Sequence, residues 1–201
     1  MLDAAPPPYF SVAILAGGHS RRMGQNKALL EVGGVVILQR VINAVKHLTD
    51  DLFLVANTPQ LYQDFSLPMQ PDVIPDKAAL GGVYTAILQA RYEWTLILAC
   101  DMPLLKPEVI AFLAGYLDTA DVVCPLVNSY PETLHAFYRK TCLPVIAQQI
   151  AADALKIADF FERVNVQYIN EAVLAAVTSD FNFLLNVNTP VDLAIARRLV
   201  H

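Results

Sequence analysis

The chain alternates short, predominantly apolar runs with longer stretches in which apolar residues recur every three or four. "SVAILA" (11 to 16), "DLFLVAN" (51 to 57), "TLILAC" (95 to 100) and "DVVCPLV" (121 to 127) have strand length and are apolar on both faces. That is the pattern of strands in a parallel sheet covered on both sides. Between them, residues 35 to 48, 80 to 94 and 106 to 117 carry helical spacing, the last with Pro107 in its first turn, where the missing N–H has no partner to lose. The order β-α-β-α-β predicts an α/β fold: a single-domain, doubly wound, mostly parallel sheet flanked by helices, Rossmann-like. Beyond residue 128 the rhythm changes. "ETLHAFYRK" (132 to 140) reads as a partly exposed strand, 141 to 164 as two helical pieces, and 189 to 199 as a helix capped by Thr189 with Pro190 at its first position.

A length of 201 residues suits one large domain. Residues 1 to 10, with three consecutive prolines, read as a flexible arm, and 11 to 201 as one domain without a linker or repeat. The arm has no basic region before an apolar core, so it does not read as a secretory signal. Although 55% of residues are hydrophobic, no run approaches the roughly 18 that a membrane-spanning helix needs. The three cysteines Cys100, Cys124 and Cys142 are far apart and odd in number, against a disulfide framework or a Cys-rich zinc site and in favour of a reducing cytoplasm. A net charge of −5 predicts repulsion from nucleic acid and from acidic membrane surfaces.

Against that acidic background, "LAGGHSRRMGQNKALL" (15 to 30) places Gly17, Gly18 and Gly24 beside Arg21, Arg22 and Lys27, with no acid between Asp3 and Glu31. It is neither a P-loop, which needs G-x-x-x-x-G-K-[ST], nor a G-x-G-x-x-G dinucleotide fingerprint. The physics still points to phosphate: backbone N–H groups of a glycine-bearing turn cradle oxygens, and the three cations neutralise a triphosphate. A solvated loop with locally paired charges is the competing reading. Asp101 follows the most apolar strand and either caps the next turn or binds a cation. Beside a basic loop the cation is favoured, because Mg²⁺ takes one or two carboxylates and completes its shell with phosphates and water. Asn57 and Asp72 end strand candidates, where turn chemistry explains them equally well. Gly81 and Gly82 open a helix and fit either tight packing or approach of a ligand. Asn186 and Asn188 in "NVNTP" form a turn feeding the Thr189 cap, or else orient a metal or phosphate. The four histidines lack ligand spacing; His135 and Tyr138 are expected to face an acceptor.

These residues carry a resemblance. The loop is similar to the signature L-A-G-G-x-S-x-R-M-G-x-D-K of nucleotidyltransferases, and most closely to that of the molybdenum cofactor guanylyltransferase family. "VAN" (55 to 57), "DVIPDKAALGGVYTAIL" (72 to 88), "CDMP" (100 to 103), "PETLHAFYRK" (131 to 140) and "NVNTPVDL" (186 to 193) match that family's landmarks in order. The resemblance implies a glycosyltransferase-A type fold and transfer of GMP from GTP to molybdopterin-bound molybdenum cofactor, with Mg²⁺ as cofactor and pyrophosphate released. By matching position, Leu15, Ala16, Gly17, Gly18 and Lys27 contact GTP, Asn57 and Asp72 hold its base and sugar end together with Leu80 and Gly81, and Asp101 binds the metal. Arg21, Arg22, Lys27 and Asp101 are then the catalytic set. Residues 11 to 105 form the nucleotide half and 106 to 201 the acceptor half, and molybdoenzymes or their chaperones receive the product. The chain departs from the family at Asn26, where Asp is usual, and at Ala78-Ala79, where Gly-Pro is usual. The runners-up are a cytidylyl or sugar-phosphate nucleotidyltransferase, and a non-catalytic module that binds nucleotide and delivers cofactor.

Overall fold

The computed structural model describes residues 9–17 and 26–200, with only the backbone at Thr119. Its strands are β1 (Phe10–Leu15), β2 (Glu31–Val32), β3 (Val35–Val36), β4 (Leu52–Val55), β5 (Met69–Gln70), β6 (Trp94–Ala99), β7 (Val122–Val127), β8 (Tyr130–Pro131), β9 (His135–Arg139) and β10 (Val166–Asn170). Its helices are α1 (Ile37–Val45), α2 (Ala78–Gln89), α3 (Pro107–Ala114), α4 (Leu143–Ala151), α5 (Glu171–Leu174) and α6 (Pro190–Leu199). One sheet runs in the order β10-β7-β9-β6-β1-β4-β5, with β8 paired to β7, and β2 and β3 form a separate hairpin. β1 is parallel to both β4 and β6, and β5 and β10 are parallel to their neighbours. β9 lies antiparallel between β6 and β7. The doubly wound α/β architecture read from the pattern is the one the chain forms.

Why the strands are apolar on both faces is visible in the packing. Alternate residues of β1 point to opposite faces: Val12 and Ile14 join Leu38 and Val41 of α1 and Val109 and Leu113 of α3. Ala13 joins Val83 and Ile87 of α2 and Ile146 and Ile150 of α4. A period-2 strand covered on both sides has no solvent face to fill with polar residues, and the few polar side chains it keeps, Ser11 in β1 and Thr95 in β6, are small and buried. A smaller cluster of Val32, Ile37, Val187 and Ala196 fastens α6 to the β2–β3 hairpin.

The structure corrects several boundaries. Phe10 opens β1 and is buried, and Tyr9 stacks on Tyr92, so the fold takes in the last two residues of the expected arm. The first helix begins at Ile37, not 35, because Val35–Val36 pairs with Glu31–Val32 across Gly33 and Gly34, whose positive φ values of 61° and 73° make the hairpin turn. Residues 90 to 94 leave α2, and Trp94 is the first residue of β6. Within the stretch expected as a partly exposed strand, 132 to 140, only His135–Arg139 forms the strand β9, and it is buried at four of its five positions because strands flank it on both sides; residues 132 to 134 and 140 are half-buried. Of the two helical pieces in 141 to 164, the first is α4 and the second, Ile157–Arg163, is a 3₁₀ helix. α6 has the predicted Thr189 cap, strengthened by Asp192, whose carboxylate accepts from the Thr189 backbone in return.

The topology makes one place special. From β1 the chain passes through α1 on one face to β4 on one side, then through α2 on the other face to β6 on the opposite side. At the carboxyl end of β1 the connections therefore diverge and leave a crevice, the position where open α/β sheets bind ligands.

Candidate active site

A cleft of about 160 Å³ opens at that crevice, lined by Leu15, Gly17, Asp72, Ala78, Gly82 and Asp101 among others. A Cβ at Gly82 would lie 3.3 Å from Leu15 Cδ1 and 3.7 Å from Asp72 Oδ1, so a side chain here would crowd the cleft. A larger cavity of about 460 Å³, lined by Arg40, Pro103, Lys106 and Asp180, includes none of Leu15, Gly17, Asp72 or Asp101.

Lys27 starts a short 3₁₀ turn, Lys27–Leu29, capped by the Asn26 side chain. Its ammonium donates to Asn188 Oδ1 at 2.6 Å and stands 4.0 Å from Asp101 Oδ2, with both charged side chains less than one-fifth exposed. Asp101 sits two residues past β6, and its backbone carbonyl accepts from Val187 N at 2.9 Å, bringing "NVNTP" to the cleft. Withdrawal from water raises the Asp101 pKa above the ordinary carboxylate value, and the nearby Lys27 charge opposes that rise. Cys100, next in chain, is pushed up to about 12 by burial and then by the Asp101 charge, so it is a protonated thiol at neutral pH and no nucleophile.

On the other wall, beyond the ends of β4 and β5, Asn57 and Asp72 hold each other. Asn57 Nδ2 donates to Asp72 Oδ2 at 2.7 Å, and Asp72 N donates to Asn57 Oδ1 at 2.8 Å. This uses one acceptor and one donor of the amide and leaves Asp72 Oδ1 free of that pair, toward Gly82. Thus Leu15, Gly17, Asp72 and Asp101 line one cleft, which Lys27 adjoins through Asp101 and Asn57 through its bonds to Asp72. Ala16 is buried behind it, and Leu80 is wholly buried in the core, so neither presents a side chain. Gly81 packs against the loop before α2, where a Cβ would meet Lys77 Cβ at 3.0 Å and Ile74 O at 3.1 Å; its neighbour Gly82 lines the cleft. Gly18, Arg21 and Arg22 lie outside the described residues.

His135 and Tyr138 do not face an acceptor. Both are completely buried, Tyr138 donates to Thr133 O at 2.6 Å, and neither ring nitrogen of His135 has a partner. Two participants carried too little signal in the sequence. Asn188 read first as part of a helix cap, yet its oxygen holds Lys27 while Thr189 makes the cap. Tyr62, whose hydroxyl bonds Ala16 O and the Asn26 amide beside the cleft, carried no motif at all.

Among the described residues, no group of three or more His, Cys, Asp or Glu side chains could hold a metal unaided. A largely sheltered carboxylate beside a cation is instead suited to a site in which Mg²⁺ arrives with its phosphates, and Asp101 fits that use.

Comparisons with known proteins show the family and the fold. The MobA-like NTP transferase domain family matches residues 12–167. A probable molybdenum cofactor guanylyltransferase of Carboxydothermus hydrogenoformans is 41% identical over 182 residues, covering 90% of this chain and 92% of that protein. A molybdenum cofactor guanylyltransferase of Desulfosudis oleivorans is 35% identical over 189 residues, covering 93% and 94%. The crystal structure of molybdopterin-guanine dinucleotide biosynthesis protein A from Archaeoglobus fulgidus superposes with a TM-score of 0.82 at 26% identity, covering 94% of this chain and 98% of that one.

Proposed function

The chain belongs to the family of MobA-like NTP transferase domains, a nucleotidyltransferase family, and from that membership and the cleft geometry we propose that it transfers GMP from GTP to molybdopterin-bound molybdenum cofactor. The observation that carries the reading is the convergence of Lys27 and Asp101, 4.0 Å apart, at the glycine-lined mouth of β1.

In this reading the triphosphate lies along Gly17 and Lys27, with Gly18, Arg21 and Arg22 as further phosphate contacts, and the base and sugar lie toward Asn57, Asp72 and the start of α2 at Leu80 and Gly81. The acceptor approaches from the side built by residues 106 to 201. A terminal phosphate of the acceptor is ionised near neutral pH and attacks the α-phosphorus without a protein base. The chain's task is then positioning and charge neutralisation. The Asn188 oxygen holds the Lys27 ammonium in place, and Lys27 stabilises the charge that builds on the departing pyrophosphate. Asp101 would hold Mg²⁺, which supplies charge neutralisation between the phosphates when bound. The free thiols Cys100, Cys124 and Cys142 suit a cytoplasmic setting, and among the described residues no helix is long and apolar enough to cross a membrane.

Asp101→Asn tests the reading. Pyrophosphate release is expected to fall by on the order of 100-fold or more, while the melting temperature holds or rises, because a buried carboxylate becomes a neutral amide. Near-parental release would refute the metal role. Assaying GTP, CTP, ATP and UTP with and without molybdopterin cofactor separates guanylyl from cytidylyl transfer.

A further inference from the structure

We propose that Tyr62 is a positioning residue for the nucleotide site, its phenol setting the separation of Gly17 and Lys27 by joining the backbone of Ala16 to the side chain of Asn26. The inference rests on the reading of Gly17 and Lys27 as phosphate contacts.

Tyr62 lies between the 3₁₀ turns Pro59–Leu61 and Gln63–Phe65 and is 3% exposed. Its hydroxyl donates to Ala16 O at 2.9 Å and accepts from Asn26 Nδ2 at 2.9 Å, and Asn26 Oδ1 accepts from Ala28 N at 3.1 Å. Every proton in this relay has a forced direction. The Ala28 N–H can only donate, so the amide oxygen of Asn26 faces it and the amide nitrogen faces Tyr62. The phenol, having accepted from Asn26, sends its single proton to Ala16. Burial raises the Tyr62 pKa, so the phenol remains a donor at neutral pH. Ala16 is fixed from its other side as well, its N–H donating to Val55 O at 2.9 Å. One hydroxyl thus ties the residue before Gly17 to the residue before Lys27.

The relay explains the amide at position 26. A carboxylate there could still cap Ala28 N, but it has no proton to give, so it would claim the phenol's and leave the Ala16 carbonyl without its donor. Asn26 and Tyr62 therefore act as one unit.

The test is a double-mutant cycle with Tyr62→Phe and Asn26→Asp, read as GTP binding with Mg²⁺ by calorimetry and as the split between KM and kcat in pyrophosphate release. Tyr62→Phe should weaken GTP binding by about 3- to 10-fold, the worth of one hydrogen bond. The charge brought by Asn26→Asp acts in both backgrounds, so the cycle isolates the relay. The Asn26→Asp effect should shrink by about that same factor once Tyr62 is Phe. Tyr92→Phe, which removes a hydroxyl bonded to Asp50 at the surface, should match the parent. Parental GTP affinity and kcat/KM in Tyr62→Phe, with only the melting temperature lowered, would make the phenol a packing strut and overturn the inference, as would an additive cycle. A parent protein that binds no GTP would overturn the nucleotide reading itself.

Discussion

His135 is a charge-bearing side chain kept neutral by the fold. It is completely buried in β9, edge-on to Phe183 with ring centroids 5.2 Å apart, and burial lowers its pKa to about 3. In the unfolded chain it titrates near 6.5. Between those values the unfolded state takes up a proton that the folded state refuses, so stability falls as pH drops from about 6.5 towards 3 and rises with pH across the same window. One proton corresponds to about 1.4 kcal/mol per pH unit. Replacing His135 with Phe should therefore remove about 2 to 3 kcal/mol of the stability loss between pH 6.5 and pH 4.5, measured by urea unfolding at the two values. Equal pH slopes in parent and variant would show that His135 takes up its proton while folded. At the same scale, the Lys27, Asp101 and Asn188 contacts link three side chains that no local pattern connects, the lysine and asparagine being 161 positions apart.

At the scale of elements, the start of α2 carries strain where it meets the cleft. Ala78, the first residue of α2, has φ of 49°, and Asp76 just before it has φ of 60°. A left-handed alanine costs roughly 1 to 2 kcal/mol, and Ala78 lines the cleft wall. Ala78→Gly should relieve part of this and raise the melting temperature by about 2 to 4 °C, the shift expected for about 1 kcal/mol in a domain of this size. A lower melting temperature would mean that the methyl's packing outweighs its strain. β1, β4, β6 and β7 were legible because each is buried on two faces and so writes a mostly apolar run, and Asp101 was legible because it follows the clearest of them. β5 was not: its two residues, Met69 and Gln70, are half-buried at the sheet edge, too short to show a period. β9 was recognised as a strand but not as a buried one, since its burial comes from insertion between β6 and β7, which its own alternation does not record. Leu80 was expected at the base because it sits in the matching segment. The helix turns its side chain into the core and presents Ala78, Ala79 and Gly82 to the cleft, a 3.6-residue phase that a strip of sequence does not reveal until the helix start is known.

At the scale of the whole molecule, the cleft and the Lys27–Asn188 contact beside it draw on segments spread along the chain, from Gly17 after β1 to Asn188 before α6, so a nucleotide that needs them together binds only the folded protein. Such binding stabilises the fold by mass action, about 2.7 kcal/mol at a ligand concentration 100 times Kd. In a domain of this size that shifts the melting temperature by roughly 5 to 10 °C. The single tryptophan, Trp94, gives a local probe: it is buried at the start of β6, beside β9 and under the Arg139 guanidinium. Far-UV circular dichroism reports the remainder of the chain. Because β9 joins β6 to β7 and the "NVNTP" segment is bonded to Asp101, the two halves expected from the sequence share one sheet and are hydrogen-bonded to each other beside the cleft. Tryptophan fluorescence and circular dichroism should then give the same transition, and GTP with Mg²⁺ should move both by the same amount. CTP at equal concentration should move them less, as the guanine reading requires. If fluorescence shifted with nucleotide while circular dichroism kept a second, unmoved transition, the halves would be separate folding units, and an acceptor side built on residues 106 to 201 would not be held in register with the bound nucleotide.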